Sequence, residues 1–186
     1  MAVINGQGPM STAHTATKLP PAEAERHSPH YELIELLFFA YRDFVGGADQ
    51  LLEAYRFGRA HHRVLHFVSR RPGLTVAELL DILRITKQSL ARVLRELVDG
   101  GFVEARHGVV DRRQRLLHPT DKGRRLALQL AQLQSARFER ALAELGPEAR
   151  ERAVQFLTAM IEPEERERVG AIARREAPRR ALRAEA

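Results

Sequence analysis

The sequence of 186 residues contains no cysteine. Without a sulfhydryl group the chain cannot form disulfide bonds or sense peroxide through a thiol. No apolar run approaches the ~20 residues that a membrane-spanning helix needs. The first residues also lack the basic start and apolar core of a secretory signal peptide. We therefore expect a cytoplasmic protein with no membrane partner.

Sequence motifs for catalysis are missing as well. There is no H-E-x-x-H, no G-x-S-x-G and no glycine-rich phosphate loop, so we expect no enzymatic activity and no cofactor. A metal-dependent enzyme built on the histidines described below is the competing class, and elemental analysis would detect its metal.

Positive charge is what the chain has in excess. Its 30 Lys and Arg residues outnumber 24 Asp and Glu residues, which gives a net charge of +6 and an isoelectric point near 10.4. That balance favours a polyanionic partner. A hydrophobic content of 44% is ordinary for a globular protein, and the length suits one domain that can bury a core.

The stretch from Leu74 to Arg125 predicts two short helices followed by a two-stranded basic hairpin. Thr75 and Glu78 form the T-x-x-E pattern of a capping box, and Thr86 can cap the second helix. Gly100 and Gly101 would end it. The apolar positions recur at three- and four-residue spacing, as expected of two amphipathic helices. They are Val76, Leu79, Leu80 and Leu83, then Leu90, Val93, Leu94, Leu97 and Val98.

Polar and basic residues gather on the two surfaces that such a unit exposes. Gln can pair with adenine and Arg with guanine, whereas Ser and Lys contact phosphates or bases. A solvated helix face is the simpler interpretation, but the basic hairpin favours a winged helix-turn-helix that binds double-stranded DNA. On the second helix the predicted DNA-binding residues are Thr86, Lys87, Gln88, Ser89, Arg92 and Arg95. On the hairpin they are Asp111, Arg112, Arg113 and Arg115.

The same stretch resembles the MarR family of bacterial transcriptional regulators. The matching segments are Leu79–Ile85, Leu94 to Val103 with its Gly-Gly-Phe-Val end, Asp111-x-Arg113 in the wing, and Thr120-x-Lys122-Gly123. The resemblance implies a mostly α-helical fold with a small β-wing, forming an intertwined homodimer through N- and C-terminal helices. It also implies that Asp111 braces the wing while Arg113, with Arg112, enters the minor groove.

The flanking segments complete the predicted organisation. Residues 1–29, with Pro and Gly among Ser, Thr, Ala and His, predict a disordered arm. The resemblance implies a MarR-like domain over residues 30–162, with dimerisation helices at about 30–56 and 121–162 around a winged helix-turn-helix at about 58–120. Residues 163–186 predict a charged tail outside the core.

The first helix is apolar nearly all the way round from Leu33 to Tyr41. Such a helix must be covered on several sides. A partner subunit is the simplest cover in a chain of this size, and a central core helix of a monomer is the alternative. Gly46 and Gly47 predict a break in this segment, after which the chain either continues the first helix beyond a kink or forms a second helix. The helix predicted from Asp121 to Leu145 and the next one, around Val154 to Ile161, supply further apolar faces.

Three histidines on the helix from Arg59 to Arg70 allow three interpretations. They could pack and form hydrogen bonds, they could bind an effector, or His62 and His66 could chelate zinc. In the resembling family this helix and the first one line the effector pocket, where aromatic carboxylates and phenols bind. The resulting candidate set is Phe38, Tyr41, Arg42, Tyr55, Arg59, His61, His62 and His66.

The sequence therefore predicts a repressor that binds a palindromic operator as a homodimer. A small aromatic carboxylate or phenol, such as a hydroxylated benzoate or nicotinate, would release it. A metal-responsive regulator and a non-specific architectural DNA-binding protein are the alternatives.

Overall fold

The computed structural model describes residues 29–108 and 114–174. The predictions for residues 1–28, 109–113 and 175–186 lie outside the described residues. By its contacts the chain divides into a unit that ends at Phe38 and a larger unit that begins at Phe39. In chain order the elements are α1 (Tyr31–Glu53), α2 (Arg59–Arg70), β1 (Leu74–Thr75), α3 (Val76–Leu83), α4 (Lys87–Asp99), β2 (Val103–His107), β3 (Arg115–Pro119), α5 (Asp121–Leu145), α6 (Ala149–Ala159), a 3₁₀ turn (Pro163–Glu165) and α7 (Arg166–Arg174).

Threonine side chains determine where three of the helices begin. Thr75 Oγ1 accepts a hydrogen bond from the backbone N–H of Glu78 (3.2 Å), while the Glu78 carboxylate accepts one from Thr75 N–H (2.8 Å). Thr86 Oγ1 accepts from the N–H of Ser89 (3.1 Å), and Thr120 caps α5 in the same way. Because the first amides of a helix have no partner within it, these side chains fix its first residue. The caps at Thr75 and Thr86 confirm the sequence predictions.

The β-sheet has β3 in the centre, with β1 and β2 paired antiparallel on either side. Leu74 of β1 pairs with Leu117, and Val103 of β2 pairs with Pro119. The hairpin of β2 and β3 was predicted and is confirmed. Strand β1 was not predicted, because two residues cannot display the alternation by which a strand is recognised.

The core of the larger unit lies where α2, α4 and α5 meet the sheet. Val64, Leu90, Leu97 and Leu130 are completely buried there. Val98, predicted to lie in the buried stripe, is instead 41% exposed. It follows Leu97 directly, so the 100° turn per residue of an α-helix rotates its side chain away from the core.

Helix α1 is continuous through Gly46 and Gly47, so the predicted break is wrong. A glycine in a helix costs about 1 kcal/mol relative to alanine. Val45, Ala48 and Leu52 are buried at helical spacing on both sides of the glycine pair. Their packing against the rest of the larger unit outweighs the local preference.

Many large apolar side chains are exposed in the single chain. The last helices were predicted to pack, yet one chain leaves much of their apolar surface uncovered. In the N-terminal unit the exposed residues are Tyr31, Leu33, Ile34, Leu36, Leu37 and Phe38. In the larger unit they include Phe39, Tyr41, Leu133, Phe138, Leu145, Val154, Phe156, Leu157 and Met160. Within the described residues, none of the helices has the length and apolar character needed to cross a lipid bilayer.

Helix α7 contacts the helix-turn-helix, although the sequence indicated a tail outside the core. Val169 and Ile172 are partly buried. Three polar contacts accompany them: Arg168 to Asp81 at 2.5 Å, Glu165 to Arg84 at 2.8 Å, and the Arg71 guanidinium donating to the carbonyl oxygen of Ile172 at 2.6 Å. The partners of the last contact lie 101 residues apart, and no local pattern reveals such a pairing.

We predict that Gly123→Ala destabilises the fold. A β-carbon at Gly123 would lie 2.0 Å from the carbonyl oxygen of Phe102, so α5 and the start of the hairpin must separate. We expect unfolding free energy to fall by about 2 kcal/mol or more, measured by urea denaturation. Gly47→Ala is the control, because its β-carbon meets nothing within 4 Å and should stabilise α1 by about 0.5–1 kcal/mol. An unchanged urea midpoint for Gly123→Ala would contradict this packing.

Candidate nucleic-acid interface

Helix α4 presents one polar face to solvent. Leu90, Val93 and Leu97 are buried at three- and four-residue spacing, so the opposite side of the helix must face outward. The residues predicted to bind DNA are all exposed: Thr86, Lys87, Gln88, Ser89, Arg92 and Arg95.

The first turn of α4 is rigid. Thr86 Oγ1 accepts from the N–H of Ser89 and donates to the Ser89 hydroxyl at 2.9 Å. The two hydroxyls therefore hold each other in place. The N-terminus of a helix also carries partial positive charge, which favours an anion such as a DNA phosphate. The chemistry of this turn suits a negatively charged partner.

One turn further along α4, Arg92 belongs to a chain of hydrogen bonds. Its Nη1 donates to Glu96 Oε1 at 3.0 Å, and Glu96 Oε2 lies 2.5 Å from Nε2 of His61 on α2. His61 Nδ1 accepts from the backbone N–H of Gly58 at 3.1 Å. The hydrogen bonds from His61 and then Arg92 lower the pKa of Glu96 below its usual value. Glu96 is therefore a carboxylate at neutral pH that connects α2 with the exposed face of α4.

The hairpin adds further cations. Arg115 at the start of β3 is exposed and pairs in register with His107. Arg106 on β2 is also exposed and forms an ion pair with Glu104. Arg106 was not among the residues predicted to bind DNA. The predicted tip residues Asp111, Arg112 and Arg113 lie outside the described residues.

A cleft of about 950 Å³ lies beside α4. Phe57 stacks on the His61 ring with centroids 4.5 Å apart, and Tyr55 meets Phe102 edge-on at 5.4 Å. Three members of the predicted effector set line this cleft: Tyr55, Arg59 and His61. The cleft is also lined by Phe57, Arg92, Glu96, Phe102 and Lys122.

The other histidines of α2 do not line this cleft. Burial lowers the pKa of His62, and the charge of Asp49 partly opposes that effect. Burial also lowers the pKa of His66, whose ring lies edge-on to Phe67 at 5.1 Å. Both imidazoles are therefore neutral at neutral pH. Among the residues that the structure describes, no three His, Asp or Glu side chains converge in a way that could hold a metal ion.

Tyr41 and Arg42 of α1, which also belong to the predicted effector set, are not among the residues that line the cleft. Arg42 pairs with Asp43 at 3.0 Å, and its guanidinium lies 4.9 Å from the centroid of the Phe39 ring. The guanidinium of Arg59 lies over the Tyr41 ring, 5.8 Å from the ring centroid. Phe38 belongs to the N-terminal unit. The predicted set is thus divided among the cleft, helix α1, and the two α2 histidines outside the cleft, His62 and His66.

Comparison with known proteins decides the family. Residues 57–114 match the sequence profile of the MarR family. The chain is 48% identical over 130 residues to the HTH-type transcriptional regulator PetP of Rhodobacter capsulatus, covering 70% of this chain and 78% of PetP. The chain belongs to the MarR family of transcriptional regulators. It is also 24% identical over 103 residues to the regulator HosA of Escherichia coli O157:H7, covering 55% of this chain and 76% of HosA.

Solved structures agree with the MarR fold. A MarR regulator from Methanosarcina mazei superposes with a TM-score of 0.60 at 24% identity, covering 75% of this chain and 93% of that one. S. aureus MepR in its DNA-binding conformation gives 0.58 at 19% identity, covering 72% of this chain and 96% of that one. The winged helix-turn-helix fold is therefore confirmed.

Glu96 and Lys122, like Arg106, were not identified from the sequence as candidate functional residues. Glu96 lies four residues after Arg92, a spacing at which opposite charges on a helix meet, so their pairing was open to prediction. Its contact with His61 joins residues 35 apart and has no sequence signal. Lys122 Nζ donates to the carbonyl oxygen of Gly100 at 2.9 Å and lies 4.1 Å from the Phe102 ring centroid.

Proposed function

We propose that this protein is a transcriptional repressor that binds a palindromic DNA operator as a homodimer in the cytoplasm. The observation that carries the proposal is the exposed polar face of α4 beside a basic hairpin. The net charge of +6 supports a nucleic-acid partner, since polyanions attract basic proteins over long range.

In this proposal α4 is the recognition helix and enters the major groove. Gln88 and Arg92 lie one turn apart on its exposed face, and their side chains can bond adenine and guanine edges respectively. Thr86, Lys87, Ser89, Arg95 and Arg115 contact phosphates and fix the register. At the wing tip we carry over from the family the roles of Asp111 as a brace and of Arg112 and Arg113 as minor-groove contacts.

A second copy of the chain would cover the exposed apolar surfaces. Soluble monomers rarely expose large contiguous apolar patches, because burial gains about 25 cal/mol per Å². Helix α6 exposes Val154, Phe156, Leu157 and Met160, each 49–54% accessible. A two-fold dimer built on this surface presents two recognition helices, which matches a palindromic operator.

We further propose that the protein responds to a small aromatic carboxylate or phenol. The cleft beside α4 supports this, because Tyr55, Phe57 and Phe102 offer flat apolar walls close to Arg59 and Lys122. Such surroundings suit a planar anion. A carboxylate that binds Arg92 would also remove a DNA contact. Release requires that the effector prefer the state that does not bind DNA.

Replacing Gln88 or Arg92 with alanine should weaken operator binding more than random-DNA binding. Each lost bidentate contact should cost about 1–3 kcal/mol of discrimination. Footprinting upstream of the protein's own gene first locates the operator. Fluorescence anisotropy then measures the affinity for a duplex of that sequence and for a random duplex. Arg152→Ala, on the exposed polar side of α6 with Gln155, is the control and should leave the ratio unchanged. Equal losses of affinity for both duplexes would show that these residues contact only phosphates. A wild-type protein that binds both duplexes equally would indicate an architectural DNA-binding protein.

Leu157→Asp should break the dimer. In a dimer this side chain is buried, and an unpaired carboxylate there costs several kcal/mol. Sedimentation velocity should show monomer or aggregate where the wild type sediments as a dimer. Gln155→Asp is the control, because Gln155 lies on the polar side of the same helix and bonds to Glu151. A stable dimer of Leu157→Asp would exclude α6 from the interface.

Arg59→Ala should weaken effector binding about tenfold or more, the usual effect of losing a hydrogen bond to a charged group. Titration calorimetry with hydroxybenzoates and nicotinate tests this, with operator release followed in parallel. Arg42→Ala is the matched variant, because Arg42 pairs with Asp43 and does not line the cleft. Loss of binding in Arg42→Ala alone would move the site to α1. No binding heat with any of these acids would remove the aromatic effector from the proposal.

A further inference from the structure

His61 is held at both ring nitrogens. It is 5% exposed, and its ring stacks on Phe57 with an interplanar angle of 8°. Nδ1 accepts from the N–H of Gly58 at 3.1 Å, and Nε2 lies 2.5 Å from Glu96 Oε2. The ring therefore has neither rotational freedom nor an unused polar atom.

These partners also determine where the imidazole proton lies. An N–H group donates to Nδ1, so Nδ1 must carry the lone pair and Nε2 must carry the proton. Nε2–H then donates to the Glu96 carboxylate. His61 thus presents one buried and directed donor to a residue of α4.

Glu96 in turn restricts the position of the Arg92 side chain. An i,i+4 pair on a helix surface is worth only about 0.3–0.5 kcal/mol, too little to hold two long side chains in one arrangement. Here one carboxylate oxygen is bound by His61, and the other lies 3.0 Å from Arg92 Nη1. The direction of the carboxylate is therefore set from α2. Arg92 remains 63% exposed, and a guanidinium with five donors can use the others elsewhere.

We propose that His61 is a positioning residue, which acts through Glu96 to hold the Arg92 guanidinium ready for base contact. The inference rests on the proposed function, in which Arg92 contacts operator bases. A side chain oriented before binding loses less conformational entropy when it binds. Only a correctly aligned guanidinium meets guanine bidentately, so the effect falls on operator discrimination more than on overall DNA affinity.

The test compares His61→Leu with His61→Gln, measured without effector. Leucine fills the site but has no donor, whereas glutamine offers an N–H to Glu96 and a carbonyl oxygen to the Gly58 amide. We expect His61→Leu to lower the operator-to-random affinity ratio about threefold to tenfold, the effect of freeing one long side chain. We expect His61→Gln to restore most of it.

Two further variants separate positioning from general stability. Glu96→Ala removes the middle link at a partly exposed position, so it tests the same chain of contacts even if His61→Leu folds poorly. Val68→Ala is the matched control, because it removes buried packing from the same helix without touching Glu96 or Arg92. It should lower the melting temperature and leave the affinity ratio unchanged.

A double-mutant cycle completes the test. In an Arg92→Ala background, His61→Leu and Glu96→Ala should produce no further loss of discrimination, since coupled residues are non-additive. The inference is overturned if the ratio is unchanged in both single variants, if glutamine fails where leucine fails, or if the losses are additive with Arg92→Ala. A wild type with no operator preference would instead defeat the proposed function, and this inference with it.

Discussion

Helix α4, the β2–β3 hairpin and the long helix α5 are joined at one close backbone contact, where Gly123 lies against the carbonyl group of Phe102. Thr120 donates its backbone N–H to that same carbonyl oxygen at 3.1 Å. Lys122 donates to the carbonyl oxygen of Gly100, at the end of α4. Residues from three elements thus satisfy each other's backbone groups within a few ångströms, so α4 and the hairpin keep a fixed relation to α5.

This junction gives the exposed face of α4 a rigid support. The Thr86 cap, which bonds to Ser89, orders the N-terminal end of the helix, and the junction orders its C-terminal end. Between them, the contact from His61 to Glu96 reaches α4 from α2. A helix supported at both ends and in the middle can hold its side chains in register with a repeating ligand such as a DNA duplex.

Local chemistry explains which features could be read from the sequence. The cap residues, the polar face of α4 and most of its apolar stripe depend on neighbours within one or two turns. These predictions were confirmed, with Val98 as the exception. The continuity of α1 through Gly46 and Gly47 could not be read, because distant packing overrides the local preference of glycine. Strand β1 and the contact of His61 with Glu96 could not be predicted either, because both depend on residues that only folding brings together.

The contacts that attach α7 determine how readily this helix unfolds locally. The contact between Arg168 and Asp81 joins residues 87 positions apart in the sequence, so it can form only when α7 docks on the folded helix-turn-helix. Asp81 and Arg84 are 67% and 65% exposed, and ion pairs so open to solvent are weak and screened by salt. We therefore expect α7 to be a separate unit of local unfolding, whose amides exchange with solvent well before those of α4. Raising the ionic strength would then weaken both the binding of DNA and the docking of α7.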